Sequence, residues 1–216
     1  MNNDFYSDRN TFFCFSPAVM LFTFAVEITL LAFTFARFRI TKFGKLVILA
    51  LILLAVFQFT EYQICAGESA IFWAQIGFVA ITLLPALGIH LISLMTGNSR
   101  HAQFAYTIAG MYIFIFLFAP KAIDGAVCGG NYIIFNTSQE LYWTYGIYYF
   151  GFLLLGIWDL FIKMKTAISD DSELFSLLAW MHFGYFSFMV PTGFVYCLVT
   201  EDRAAVPSLI CGFALI

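Results

Sequence analysis

The sequence carries little charge. Of its 216 residues only 11% are charged, whereas 62% are hydrophobic, and the mean hydropathy is +0.90. A soluble domain usually has about a quarter of its residues charged, so the polar side chains here are too few to cover a water-soluble surface. The composition therefore excludes an ordinary soluble protein and predicts a surface that faces the lipid bilayer.

Several functional signatures are also missing. The net charge of −3, without a concentrated basic segment, argues against nucleic acid as a partner. There is no G-x-S-x-G, H-E-x-x-H or P-loop motif. No lysine follows Lys165, which excludes a retinal Schiff base in a last helix, and no C-x-x-C motif predicts a thiolate metal site. We expect no cofactor and no metal, and an enzyme is the less favoured class.

Long apolar runs dominate the chain instead. A membrane-spanning helix needs roughly 20 mostly apolar residues. The runs are continuously apolar and do not alternate with period two, which predicts helices rather than a barrel. We predict an all-α, polytopic transmembrane helix bundle that forms one domain over 1–216, with full spans at about 12–36, 46–64, 70–95, 104–119, 142–162 and 174–199.

A seventh run, 206–216, is shorter than a full span. Counted from Pro207 it reaches only ~15 Å, about half of the hydrocarbon core. It is either a half-helix buried in the bundle or a span whose remainder lies beyond Ile216. An apolar end in mid-bilayer would leave carbonyl groups unpaired, which favours the second interpretation.

Basic residues predict the orientation, because Lys and Arg concentrate in short cytoplasmic loops. One side of the predicted bundle holds most of them: Arg37, Arg39, Lys42, Lys45, Arg100, Lys163 and Lys165. The other side holds Arg9, Lys121 and Arg203. We therefore predict a multi-pass protein of the cell membrane with its N-terminus on the non-cytoplasmic side and its first span retained.

The longest loop, 120–141, falls on the predicted outer side and is long enough to cover the mouth of the bundle. Cys65 closes the second span and Cys128 lies in this loop, so an oxidising compartment would allow a disulfide between them. A pair of Cys14 and Cys197 is less favoured. The alternative is that each cysteine is a small buried apolar residue.

Four ionisable residues fall in the predicted cytoplasmic half of the spans: Glu27, His90, Asp159 and His182. Ionisable groups are costly inside a membrane and are functional candidates for that reason. They predict a buried polar network that shares protons. The alternatives are that Asp159 pairs with Lys163 on its own helix, and that each histidine bonds to a neighbouring helix. Glu27 lies deep and has no basic neighbour on its own helix.

A second polar set is predicted nearer the outer side and comprises Gln58, Glu61, Tyr62 and Gln75. Gln58 and Tyr62 are four residues apart and share a helix face. With aromatic residues at the start of the fifth span they predict an outward-facing pocket under the long loop. For the aromatic residues themselves, an interfacial belt is the favoured alternative.

The third span reads FWAQIGFVAITLLPALGIHLISL, with a central Leu-Pro at Pro85 and His90 five residues later. This pattern resembles the N-terminal seven-transmembrane region found ahead of bacterial membrane histidine kinases. The size and the predicted outside N-terminus are also similar to that region. The resemblance implies a sensor-like input module that reports to a cytoplasmic signalling partner. It implies no role for an individual residue.

Three functions follow as hypotheses. The first is a sensory or signal-input module without catalytic activity of its own, with the lipid bilayer, a cytoplasmic signalling protein and a second copy of the chain as partners. The second is a transporter, channel or proton-conducting bundle that uses Glu27, His90 and His182. The third is an intramembrane enzyme that uses the same side chains.

Overall fold

The computed structural model describes residues 17–38, 41–67, 69–120, 122–128, 133–167 and 172–198. These residues form six helices and one β-hairpin. The helices are α1 (Pro17–Phe38), α2 (Lys42–Cys65), α3 (Ala70–Thr96), α4 (Arg100–Phe118), α5 (Gln139–Ala167) and α6 (Ser172–Leu198). Each contains a segment long and apolar enough to cross a membrane, which confirms the six predicted spans of a multi-pass membrane protein. The predicted seventh span lies outside the described residues.

A hairpin of β1 (Ile123–Cys128) and β2 (Ile133–Thr137) interrupts the helices between α4 and α5. Its two strands are antiparallel and have an irregular register between Ile123 and Gly125, where the glycine adopts a φ of 151°. The hairpin packs on α3 and α2. We call this side of the bundle the hairpin end, and the opposite side, where α1 ends and α2 begins, the basic end. The all-α prediction did not include these two strands.

The third helix is the centre of the bundle. It packs against α2, α4, α5 and β1, and its buried residues run along its whole length, from Ala74 to Ser93. Small side chains of α3 and α4, such as Ala74, Ala105 and Ala109, are fully buried. Small residues let two helix backbones approach closely inside a membrane. Most of the predicted polar site residues lie on α3 or on α2, α4 and α5, the helices that pack against it.

The first helix lies at the edge of the bundle, and α2 is its main neighbour. A tight corner joins the two helices at the basic end, where the Thr41 side chain accepts a hydrogen bond from the Gly44 amide and caps α2. A Cβ atom at Gly44 would collide with the Phe38 carbonyl. This close approach requires glycine and fixes the corner.

The fourth helix begins earlier than predicted. The sequence places its start near residue 104, whereas the helix begins at Arg100. Its first turn contains Arg100, His101 and Gln103, which are too polar to join the apolar run but are well suited to the membrane boundary. The extension lengthens a span that was short for a bilayer.

Candidate functional site

The polar site with the deepest burial lies between α1 and α2. It consists of Thr23 and Glu27 on α1 with Gln58 and Glu61 on α2, and we call these four residues the carboxyl cluster. Thr23 and Glu27 are one helical turn apart, as are Gln58 and Glu61, so each pair shares a helix face. The Thr23 hydroxyl donates a hydrogen bond to Gln58 Oε1 at 3.2 Å, which brings the two faces together.

Glu27 is the most unusual member of this cluster. Its side chain is 0% exposed, and both carboxyl oxygens lack a hydrogen-bond partner in the part of the chain that the structure describes. The Glu61 carboxyl is 2% exposed and lies close enough to Glu27 to interact electrostatically with it. Two acidic side chains are thus buried in this cluster, in a setting where an isolated charge is costly.

His90 lies elsewhere, between α3 and α4. Its Nδ1 atom is 3.1 Å from the Tyr106 hydroxyl, and the two rings meet edge to face with centroids 5.7 Å apart. This contact joins the two helices, as expected for a histidine that bonds to a neighbouring helix.

Asp159 on α5 pairs with His101 at the start of α4. His101 Nδ1 and Asp159 Oδ2 are 2.7 Å apart, and the two side chains are 37% and 14% exposed. Lys163 was the expected partner of Asp159, and the contact with His101 was not predicted. The pair ties α4 to α5 near the basic end, where solvent reaches the imidazole.

His182 on α6 makes neither of these contacts. Its ring lies 4.8 Å from that of Phe186, and its buried Nδ1 atom has no hydrogen-bond partner among the described residues. The four residues of the predicted polar network are therefore found in four separate settings. Glu27 faces α2, His90 contacts Tyr106, Asp159 contacts His101, and His182 packs beside an aromatic ring.

The predicted outer set divides between two interfaces. Gln58 and Glu61 belong to the carboxyl cluster. Gln75 points the other way, toward α4, and its amide donates a hydrogen bond to the Phe116 carbonyl at 3.1 Å. Tyr62 is half-buried at the hairpin end of α2. Depth along the helix was the basis of both predicted sets, and depth does not determine which neighbour a side chain faces.

A cluster of hydroxyl groups surrounds Pro85 in the middle of α3. The Tyr148 hydroxyl donates a hydrogen bond of 2.6 Å to the Thr82 carbonyl. The Thr82 and Tyr145 hydroxyls are 3.1 Å apart. Both tyrosines lie on α5 and pack with Tyr112 and Phe116 of α4. The aromatic rings therefore form a packed core at this level.

An apolar groove of about 570 Å³ runs along α6, lined by Phe175, Ser176, Ala179, Trp180 and Phe183. Trp180 and Phe183 are 70% and 65% exposed. The groove shares no residue with the predicted outer pocket. Such an apolar surface is what lipid chains contact in a membrane.

No group of three His, Cys, Asp or Glu side chains within the described ranges is arranged to hold a metal ion. Comparison with protein-family models and with curated proteins finds no match for this chain. Functional inference therefore rests on the geometry of the described residues.

Proposed function

We propose that this multi-pass membrane protein is a sensory or signal-input module without catalytic activity of its own, in which α1 changes its position on α2. The proposal rests on how little of α1 is buried. Of the 18 residues from Leu21 to Phe38 only 6% are buried, and the fully buried side chain among them is Glu27. The contact of α1 with the bundle therefore depends on an acidic group.

The energetics favour two positions for this helix. A buried carboxyl group without a hydrogen bond costs about 1–3 kcal/mol, and more when it is charged. Movement of α1 away from α2 would separate Glu27 from Glu61 and so reduce the repulsion between the two acidic groups. Apolar surface of α1 is in contact with lipid in either position, so little hydrophobic energy opposes the movement.

The corner at Gly44 gives such a movement a direction. The basic ends of α1 and α2 are joined by a short, capped turn, whereas α1 begins at Pro17 near the hairpin end. A change in the tilt of α1 would pivot at this corner and alter the presentation of Arg37, Lys42 and Lys45. We propose that a cytoplasmic signalling partner binds there, and the histidine-kinase-like pattern of α3 supports this part of the proposal.

Distance measurements between spin labels test the movement. Labels introduced as non-canonical amino acids at the exposed Phe22 on α1 and Phe72 on α3 are measured in lipid nanodiscs. We expect two populations that differ by roughly 5 Å, about one helical turn. The Glu27→Leu variant should give one narrow population at the shorter distance, because leucine packs against α2 without charge repulsion.

The matched control is Thr29→Leu, which makes a similar change at an exposed position of the same helix and should retain both populations. A single narrow distance that is identical in the wild-type protein and in Glu27→Leu contradicts the proposal. Proton conduction is the competing function, and the unpartnered Glu27 favours it. Proton flux into liposomes that is lost in the Glu27→Gln variant would establish proton conduction in place of the sensory role.

We also propose that Cys65 and Cys128 form a disulfide that holds the hairpin to α2. It is supported by the positions of the two cysteines at the ends of α2 and β1 and by the packing of β1 on α2. Peptide mass spectrometry without reductant should detect the linked pair. Recovery of Cys128 as an alkylated free thiol excludes it.

A further inference from the structure

The carboxyl cluster has the composition of a cation site. Its polar atoms are the oxygens of Glu27 and Glu61, the side-chain oxygen of Gln58 and the hydroxyl of Thr23. All are hard oxygen ligands, and the cluster contains no imidazole or thiolate that would select a transition metal. The buried surroundings make each negative charge costly unless a positive charge is close to it.

The unpartnered state of Glu27 is the independent observation that points to a ligand. Buried polar groups in proteins are almost always hydrogen-bonded, and an exception indicates an ion, a water or a functional role. Neither Glu27 oxygen is hydrogen-bonded to Glu61 or to any other described group. The buried Glu27 oxygens are therefore available to a ligand at this interface.

We propose that the carboxyl cluster binds one monovalent metal cation of the sodium class between α1 and α2. A divalent cation is less suited, because its dehydration cost is several-fold larger and only a few oxygens are present to replace its water shell. Neutral hydroxyl and amide oxygens complete the coordination of an alkali cation. The site therefore does not need a third acidic or histidine ligand.

This inference rests on the proposed sensory function, since it names the signal that would hold α1 against α2. A bound cation bridges the two carboxyl groups and favours the closed position of the helix. Its loss leaves two acidic groups facing each other and favours the open position. Cation concentration would thus set the population of the two positions.

Thermal unfolding of the full chain in nanodiscs tests the site. The four tryptophans provide a fluorescence signal, and the melting temperature is compared in sodium chloride and in choline chloride at equal ionic strength and fixed pH. Binding to the folded state should raise the melting temperature by roughly 3–5 °C at saturating sodium, through mass action. The increase should vanish in Glu27→Gln and in Glu61→Gln.

Glu140→Gln is the matched control, because it makes the same chemical change at an exposed acid at the start of α5. It should keep the full response to sodium. Equal melting temperatures in sodium and choline overturn the proposal, as does a sodium response that persists in both glutamine variants of the cluster. A melting temperature that depends on pH but not on sodium assigns the cluster to protons and also overturns it.

Direct binding of radioactive sodium by equilibrium dialysis covers the case in which a variant does not fold. The wild-type chain should bind about one ion per molecule, and absence of binding rejects the site. The two proposals fail separately. Sodium binding with a fixed α1 contradicts the sensory movement alone, whereas two positions of α1 without sodium binding contradict the cation site alone.

Discussion

Glu27 differs from the ionisable side chains that have a described partner. His90 has Tyr106, and Asp159 has His101. Each of these contacts joins two helices and offsets the cost of placing a polar group in the bundle. Glu27 makes no such bond to a described group, yet it occupies a fully buried position on a helix that is otherwise largely exposed. A merely structural role would favour an apolar side chain there.

Gly77 offers a second test at the scale of one residue. A Cβ atom at this position of α3 would lie 2.8 Å from the Thr60 hydroxyl and 3.4 Å from the Phe57 ring. Thr60 is fully buried, and its hydroxyl is held by a 2.7 Å hydrogen bond to the Phe57 carbonyl. We expect Gly77→Ala to reduce stability by about 1–3 kcal/mol through overpacking, measured by thermal unfolding.

A double variant separates this clash from other effects. Thr60→Ala removes the obstructing hydroxyl, so Gly77→Ala should cost much less in that background. Gly151→Ala is the control, because no atom lies within 4 Å of its added Cβ and alanine favours a helix by about 1 kcal/mol over glycine. Equal losses of stability for Gly77→Ala in both backgrounds would show that Thr60 is not the obstacle.

At the scale of the elements, α3 shows how a proline is accommodated in a central helix. Pro85 lacks an amide hydrogen and crowds the preceding turn, so carbonyl groups there lose their usual partners. The amide that Pro85 lacks would have reached the Ile81 carbonyl. The Tyr148 hydroxyl of α5 donates to the next carbonyl, at Thr82. The helix continues from Ala70 to Thr96. A neighbouring helix therefore provides a hydrogen bond at the weakened turn, as membrane proteins require.

The existence of the helices could be predicted from the sequence, because apolar runs of sufficient length have one stable form in lipid. The direction in which each helix face points could not be predicted. Glu27 and His90 were assigned to one network by depth, but helix rotation directs Glu27 toward α2 and His90 toward α4. His101 was missed because it lies outside the apolar run that defined the fourth span.

The hairpin was missed although a signal for it was present. β-Branched and aromatic residues stand on both sides of Gly129-Gly130-Asn131, a pattern typical of two strands joined by a turn. The long loop was treated as a cover without structure of its own. Short strands give a much weaker sequence signal than membrane helices do.

At the scale of the whole molecule, burial decreases from the centre of the bundle to its edge. In the most apolar stretch of α3, 56% of the residues are buried, whereas only 6% are buried in the corresponding stretches of α1 and α6. Helices with little buried surface are the elements that move most readily. The carboxyl cluster lies at such an edge, between the peripheral α1 and its neighbour α2, and a small change in charge there can shift α1 without disturbing the core.

The orientation of the molecule gives the last prediction. Basic residues in the short connections near the basic end predict that this end faces the cytoplasm, and we therefore expect the N-terminus and the hairpin to lie outside. Two exposed positions at opposite ends of the bundle provide matched reporters in a background without reactive native cysteines: Asp124 in β1 and Ser99 between α3 and α4. In intact cells, a membrane-impermeant maleimide should label Asp124→Cys.

The same reagent should label Ser99→Cys only after the membrane is opened, because that loop would face the cytoplasm. Labelling of both variants in detergent shows that each thiol is reactive and removes reactivity as a cause of any difference. The reverse pattern in intact cells would place the basic end outside, against the bias of Lys and Arg. A cytoplasmic partner could then not reach Arg37, Lys42 and Lys45. The proposed binding of a signalling partner at the corner of α1 and α2 would therefore be wrong as well.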